Sequence, residues 1–201
     1  MNKISIKEIE KAVLDTALKI AKQGKGCLIV IKKNNVSFDP LIEQDIKPFN
    51  ILENRRRLET LALVDGACIV DLNGNLIAYA SRIKNIKTFK GYGTRHSAGY
   101  SASLNNNISI LASEEDRKVR IFKNGKLIMQ LDALQKGIED STIEVVTILE
   151  SIGAGSLATI GTTLLMPALG ITILPGIIIF GSAYYLAKLI LKEKLKRKYN
   201  Y

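Results

Sequence analysis

From Ser151 to Ala187 the chain carries no charged residue, a run of 37 positions. A run of that length has to be buried, either in protein or in lipid. As one helix it would reach about 55 Å at ~1.5 Å per residue, well beyond a ~30 Å hydrocarbon core. Pro167, Gly170 and Pro175 interrupt it. Two arrangements follow. In the first, a helical hairpin, Ile152 to Met166 enters, Pro167 to Gly170 turns and Ile171 to Ile190 returns. In the second, one span from about Ile171 to Leu191 follows a re-entrant or interfacial piece. Directly after the run come Lys188, Lys192, Lys194, Lys196, Arg197 and Lys198 against one acid, Glu193, which is half of the net charge of +10. Such a tail is the expected cytoplasmic flank of a membrane segment and suits anionic lipid. With domain and tail on one side the number of crossings is even, which favours the hairpin.

The rest of the 201 residues suffices for one domain. Hydrophobic residues at 47% exclude a disordered chain. Nucleic-acid binding is not expected, because the remaining basic residues form no stripe with interleaved aromatics. Two cysteines and one histidine make no zinc pattern; Cys27 and Cys68, each in an apolar run, read as buried thiols. The first residues lack the apolar core of a signal peptide.

Helical spacing over Ile6–Ala21 predicts an amphipathic helix that stops at Gly24 and Gly26. Cys27–Ile31 reads as a buried strand and Arg55–Leu63 as a second helix. Pro40 and Pro48 mark an irregular crossing between them. A strand through Val70, an Asn73-Gly74 turn and a partner strand Leu76–Ile83 follow. Ile108–Ala112 is a further strand, and Val119–Phe122 with Leu127–Met129 forms a hairpin around Asn124-Gly125. Leu131–Glu150 reads as helix. The fold class expected is α/β, a mixed central sheet flanked by helices and followed by the apolar helical hairpin.

Three short stretches carry chemistry. In Gly91-Tyr92-Gly93-Thr94-Arg95-His96-Ser97, glycines lead into a helix whose free N–H groups face an anion. Arg95 and His96 stand in its first turn, where cations oppose the helix dipole unless a phosphate is present. An ordinary capped helix with a solvated Arg is the alternative. Asp65-Gly66 places an acid beside a residue that admits a ligand to the backbone; it is either a metal or proton site or a turn. Ser113-Glu114-Glu115-Asp116 closes a strand with three acids, for a metal or as a solvated hairpin mouth.

Taken in order, Asp65-Gly66-Ala67, Gly93-Thr94-Arg95-His96 and Ser113-Glu114-Glu115 resemble the motifs of the diadenylate cyclase domain family. The resemblance runs from about Gly26 to about Leu131. It implies an enzyme that joins two ATP molecules into cyclic di-AMP with loss of two pyrophosphates, each subunit binding one ATP and two subunits facing one another. By resemblance Asp65, Arg95 and His96 are catalytic, and Gly66, Ala67, Gly93, Thr94, Arg95, His96, Ser97 and Ser113 bind the nucleotide. Asp65 and Glu114 would hold Mn²⁺ or Mg²⁺. The chain departs from the family where Ser97 replaces its second arginine and Leu104 an acid, with Lys87 or Lys90 as replacement cations.

The expected organisation is an N-terminal helix over 1–22, a cyclase-like domain over 23–135, a connecting helix over 136–150, a membrane segment over 151–191 and a basic cytoplasmic tail over 192–201. The expected product is an enzyme at the cell membrane, its catalytic domain facing the cytoplasm. The competing expectation is a non-catalytic nucleotide sensor coupled to a transmembrane effector.

Overall fold

The computed structural model describes residues 4–151, 164–166 and 171–173. The chain starts with α1 (Ile6–Lys22), entered through a capping box: Ser5 Oγ accepts from the first turn and Glu8 accepts from the Ser5 N–H at 2.9 Å. Then come β1 (Cys27–Ile31), the short strands β2 (Phe38–Pro40) and β3 (Phe49–Asn50), and α2 (Arg55–Ala62). After them β4 (Ala67–Val70), β5 (Asn75–Ile83), α3 (Thr94–Ala102), β6 (Ile108–Ala112), β7 (Lys118–Lys123) and β8 (Lys126–Asp132) alternate sheet and helix. A 3-10 turn (Ile138–Ser141) leads into α4 (Thr142–Ser151), and β9 (Leu164–Met166) and β10 (Ile171–Ile173) follow.

Among the described residues all ten strands join one mixed sheet, in the order β2-β5-β4-β1-β6-β7-β8-β10-β9 with β3 beside β5. β1 and β4 are parallel, Leu28 opposite Ala67; β1 and β6 are antiparallel, Cys27 opposite Ala112. A parallel pair requires a crossover, and the irregular segment with α2 supplies it. Although β1 is wholly apolar, its residues still alternate. Cys27, Ile29 and Ile31 face the core that holds α1 and α4 residues, whereas Leu28 and Val30 face the core beneath α3 with Phe122. Both faces of the central strands are thus covered, as a buried parallel pair demands. Burial pushes the Cys27 thiol up to about 12, and both cysteines are free and buried, in line with the sequence reading.

Two expectations are corrected. Leu131 and Asp132 belong to β8, and helix begins only at Ile138, because the Leu127–Leu131 alternation pairs with β7. The apolar run was expected as a helical hairpin, yet Leu164–Met166 and Ile171–Ile173 are antiparallel strands, and β10 pairs with β8. The β8 edge offers unpaired N–H and C=O groups, and Ile-Thr-Ile is a strand-forming triplet. No helix among the described residues is long and apolar enough to cross a membrane. The rest of the 151–191 segment and the 192–201 tail lie outside the described residues.

A chain ending at Ser151 leaves the β8 edge open. It is expected to self-associate with rising concentration in light scattering, and its Met129–Leu131 amides should exchange faster than in the full chain. Unchanged exchange there would count against the β8–β10 pairing.

Candidate active site

β1 and β4 run parallel, so the residues before them, Gly26 and Gly66, lie at the same end of the sheet. β6 runs the other way and delivers Ala112 and Ser113 to that end. α3 starts there too. Its N-cap, Gly93, is extended (φ −75°, ψ −178°) and supplies no side-chain cap, and the first turn holds no acid. The first intrahelical bond of this turn runs from the Ser97 N–H to the Gly93 carbonyl at 3.1 Å. The N–H groups of Thr94, Arg95 and His96 therefore precede the ladder at the positive end of the helix.

Thr94, Arg95 and His96 meet Ser113, Glu114 and Glu115 across a cleft of about 440 Å³, completed by Gly93, Leu111 and Ala112. Arg95 ties this cleft to the first motif. Its Nη2 is 3.8 Å from Asp65 Oδ1. Its Nη1 passes so close over Gly26 that a Cβ there would meet it at 2.2 Å. The Asp65 side chain is 88% exposed, so its carboxylate is available to solvent and ligand. Gly66 has φ +103°, and a Cβ would lie 2.6 Å from the Ser81 nitrogen, so only glycine allows β4 to start this close to β5.

His96 is half-buried. Burial first, and then the positive charge of Arg120, hold its imidazole below the usual histidine range, against the smaller opposing pull of Asp116 and Glu115. Its Nε2 is buried without a hydrogen-bond partner. Behind it, Arg120 of β7 forms a two-point pair with Asp116, with Nη1 to Oδ1 at 3.1 Å and Nη2 to Oδ2 shorter. Burial pushes the Asp116 carboxyl up, but hydrogen bonds from Arg120 and Ser113 outweigh that and leave it lowered.

Of the expected site residues, Gly93, Thr94, Arg95, His96, Ser113 and Glu114 line the cleft, and Asp65 adjoins it through Arg95. Gly66 stands behind Asp65, and Ala67 is buried in β4 within the core under α3. Ser97 does not line the cleft. Its hydroxyl accepts from the Phe89 N–H at 3.0 Å and donates to the Gly93 carbonyl at 3.3 Å, fastening the loop before α3. Leu104 packs over Gly125 in the β7–β8 turn. Sequence reasoning missed Gly26 as the seat of Arg95. It also missed the Asp116–Arg120 pair, whose signal was an arginine set between the apolar Val119 and Ile121. A wider cleft of about 800 Å³ lies at the other end of the sheet, among Lys32–Asn35, Asp71–Asn73, Ile77 and Asn105. Some of its polar side chains close on nearby backbone: Asn34 donates to the Asn105 carbonyl at 2.8 Å, and Asp71 accepts from the Asn73 and Asn75 N–H groups.

Residues 14–127, more than half of the chain, match the family model described as DAC, DisA bacterial checkpoint controller nucleotide-binding. Two curated relatives are both named diadenylate cyclase. One, from Methanocaldococcus jannaschii, is 31% identical over 139 residues, 61% of this chain and 45% of that protein. The other, from Haloferax volcanii, is 25% identical over 138 residues, 60% and 51% respectively. The chain thus spans about half the length of the curated relatives it matches. Among solved structures, DacA from Staphylococcus aureus aligns at 19% identity and TM-score 0.46 over 69% of this chain and 93% of that one. A hypothetical membrane-spanning protein from Bacillus cereus aligns at 22% and 0.42, over 56% and 58%.

The two glycines predict opposite behaviour. In Gly66→Ala the new Cβ meets backbone at a positive φ, so unfolding by urea should show a loss of at least about 2 kcal/mol. In Gly26→Ala its one severe clash is with the flexible end of Arg95, the Ala112 carbonyl oxygen standing at 3.3 Å. Stability should stay nearly unchanged while affinity for a triphosphate, read by calorimetry, falls roughly tenfold or more.

Proposed function

This chain belongs to the DAC family, and on that premise we propose that it is a diadenylate cyclase, joining two ATP molecules into cyclic di-AMP with release of two pyrophosphates. The observation that carries this reading is one cleft in which the free N–H groups of α3, Arg95 and His96 face the Ser113–Glu115 rim, with Asp65 reached through Arg95. A polyanion satisfies the N–H groups and both side chains at once.

In this reading the start of α3 and Arg95 hold the phosphates. His96 donates to a phosphate oxygen, Ser113 bounds the nucleotide, and Asp65 helps draw the proton from a ribose 3′-hydroxyl. That oxygen bonds the α-phosphorus of the facing ATP as the bond to pyrophosphate breaks. Each chain offers one such cleft, so the reaction requires two chains face to face. Among the described residues no three His, Cys, Asp or Glu side chains converge as a metal cage. Asp65, beside Arg95, and Glu114, in the cleft lining, would hold an ion that takes one or two carboxylates. Such a divalent ion, Mn²⁺ or Mg²⁺, supplies neutralisation of the charge developing on phosphate oxygens.

Membrane attachment belongs to the same proposal. Residues 174–187 are uncharged and run into the basic tail, a composition that suits lipid with anionic headgroups beside it. In this reading the cleft faces the cytoplasm at the cell membrane.

The test is the full chain in detergent with ATP and either metal, its nucleotides read by mass spectrometry beside Asp65→Asn. Cyclic di-AMP is expected, reduced by about a hundredfold or more in the variant. ATP bound and recovered unchanged would support the second reading, a nucleotide sensor. Ser97 favours that reading in one respect, since its hydroxyl is engaged by the loop and it brings no second cation to the phosphates.

A further inference from the structure

The residue before the expected phosphate site that the function leaves unexplained is Tyr92. Its ring packs on His96 at 4.9 Å between centroids, with the planes 37° apart. It also stacks on Phe89, likewise at 4.9 Å, and Phe89 meets Phe122 of β7 edge-on at 5.6 Å. Arg120, from the same strand, lies with Cζ 5.3 Å from the Tyr92 ring centre. Arg120 is buried and fully engaged: Asp116 takes both terminal nitrogens, and Nε donates to Gln130 Oε1 at 3.0 Å on the neighbouring strand β8. It therefore cannot swing out to a ligand, and the cleft lining does not include it. What it offers instead is a fixed guanidinium beside a half-buried imidazole.

We propose that Arg120, clamped by Asp116 and Gln130, is the positioning residue for His96, acting through Tyr92 to hold the imidazole in place at the cleft wall. The proposal deepens the cyclase reading and rests on it for its consequence in turnover, but not for its physical content. A guanidinium that stacks on Tyr92 fixes the ring on which His96 leans. Its charge also disfavours a second positive charge on His96, whose titration is held below the usual histidine range. The charged groups acting on His96 are Arg120, Asp116, Glu115 and Arg95; the first two form one pair with opposite effects. Ser97 adds no cation after His96 in α3, and β7 supplies Arg120.

His96 is the single histidine of the chain, so its ring C–H signals can be followed by NMR in the full chain, prepared without a histidine tag. The midpoint of its titration is expected to rise in Arg120→Met, which removes the cation, and to fall in Asp116→Asn, which leaves the cation unbalanced. Tyr92→Phe should titrate as the unaltered chain does, and Tyr92→Leu should not. A midpoint unmoved in Arg120→Met, or shifts of the same sign in both pair variants, would overturn the proposal and leave Arg120 a packing residue. Should Arg120→Met fail to fold, Asp116→Asn and the two Tyr92 variants decide alone. In turnover, Arg120→Met should lower kcat by roughly tenfold or more with less change in KM, and Tyr92→Phe should restore what Tyr92→Leu loses. A chain that makes no cyclic di-AMP would refute the cyclase reading and leave the titration result standing.

Discussion

The site depends on the parallel pairing of β1 with β4. Opposite Leu28 stands Ala67, and this register brings Gly26 and Gly66, each just ahead of its strand, to the same end of the sheet. The antiparallel neighbour β6 ends where β1 begins and brings Ser113 to the same end. Three segments distant in sequence thus converge without any loop having to fold over them. The apolar character of β1 and β4 is what fixes the arrangement. Both strands are buried on both faces, and their alternate residues enter different cores.

On that frame the charges at the cleft oppose local preference. α3 opens with Arg95 and His96 where an acid would suit the dipole, and no side chain caps its N–H groups. Arg95 leans over Gly26 and reaches Asp65. Local conflict of this kind is expected where a ligand completes the structure. The wider cleft at the opposite end shows the contrast. There asparagine and aspartate side chains close on nearby backbone groups, and local preference is satisfied.

The central strands were legible because they are short apolar runs ended by glycine, Asn-Gly or acids. α1 was legible because its apolar residues keep helical spacing. The motif residues Thr94, Arg95, His96, Ser113 and Glu114 were found together because their order is specific. The failures share a cause, since each depended on a partner distant in sequence. Leu131 keeps a helix-compatible pattern, but β7 takes it as strand. Ile171–Ile173 sits in a run read as helix, and the β8 edge takes it instead. At Ser97 the motif gave no sign of the local bonds its hydroxyl makes, with the Phe89 N–H and the Gly93 carbonyl. The role of Arg120 required knowing that β7 passes beneath Tyr92.

The central claim is that the nucleotide enters the cleft between α3 and the end of β6. Its most direct measurement is amide chemical-shift mapping of the full chain titrated with a non-hydrolysable ATP analogue and Mg²⁺. The account predicts shifts concentrated at Gly93–His96, Ser113–Glu115 and Asp65–Gly66. Shifts concentrated instead at Lys32–Asn35 and Asn105, on the opposite end of the sheet, would contradict it.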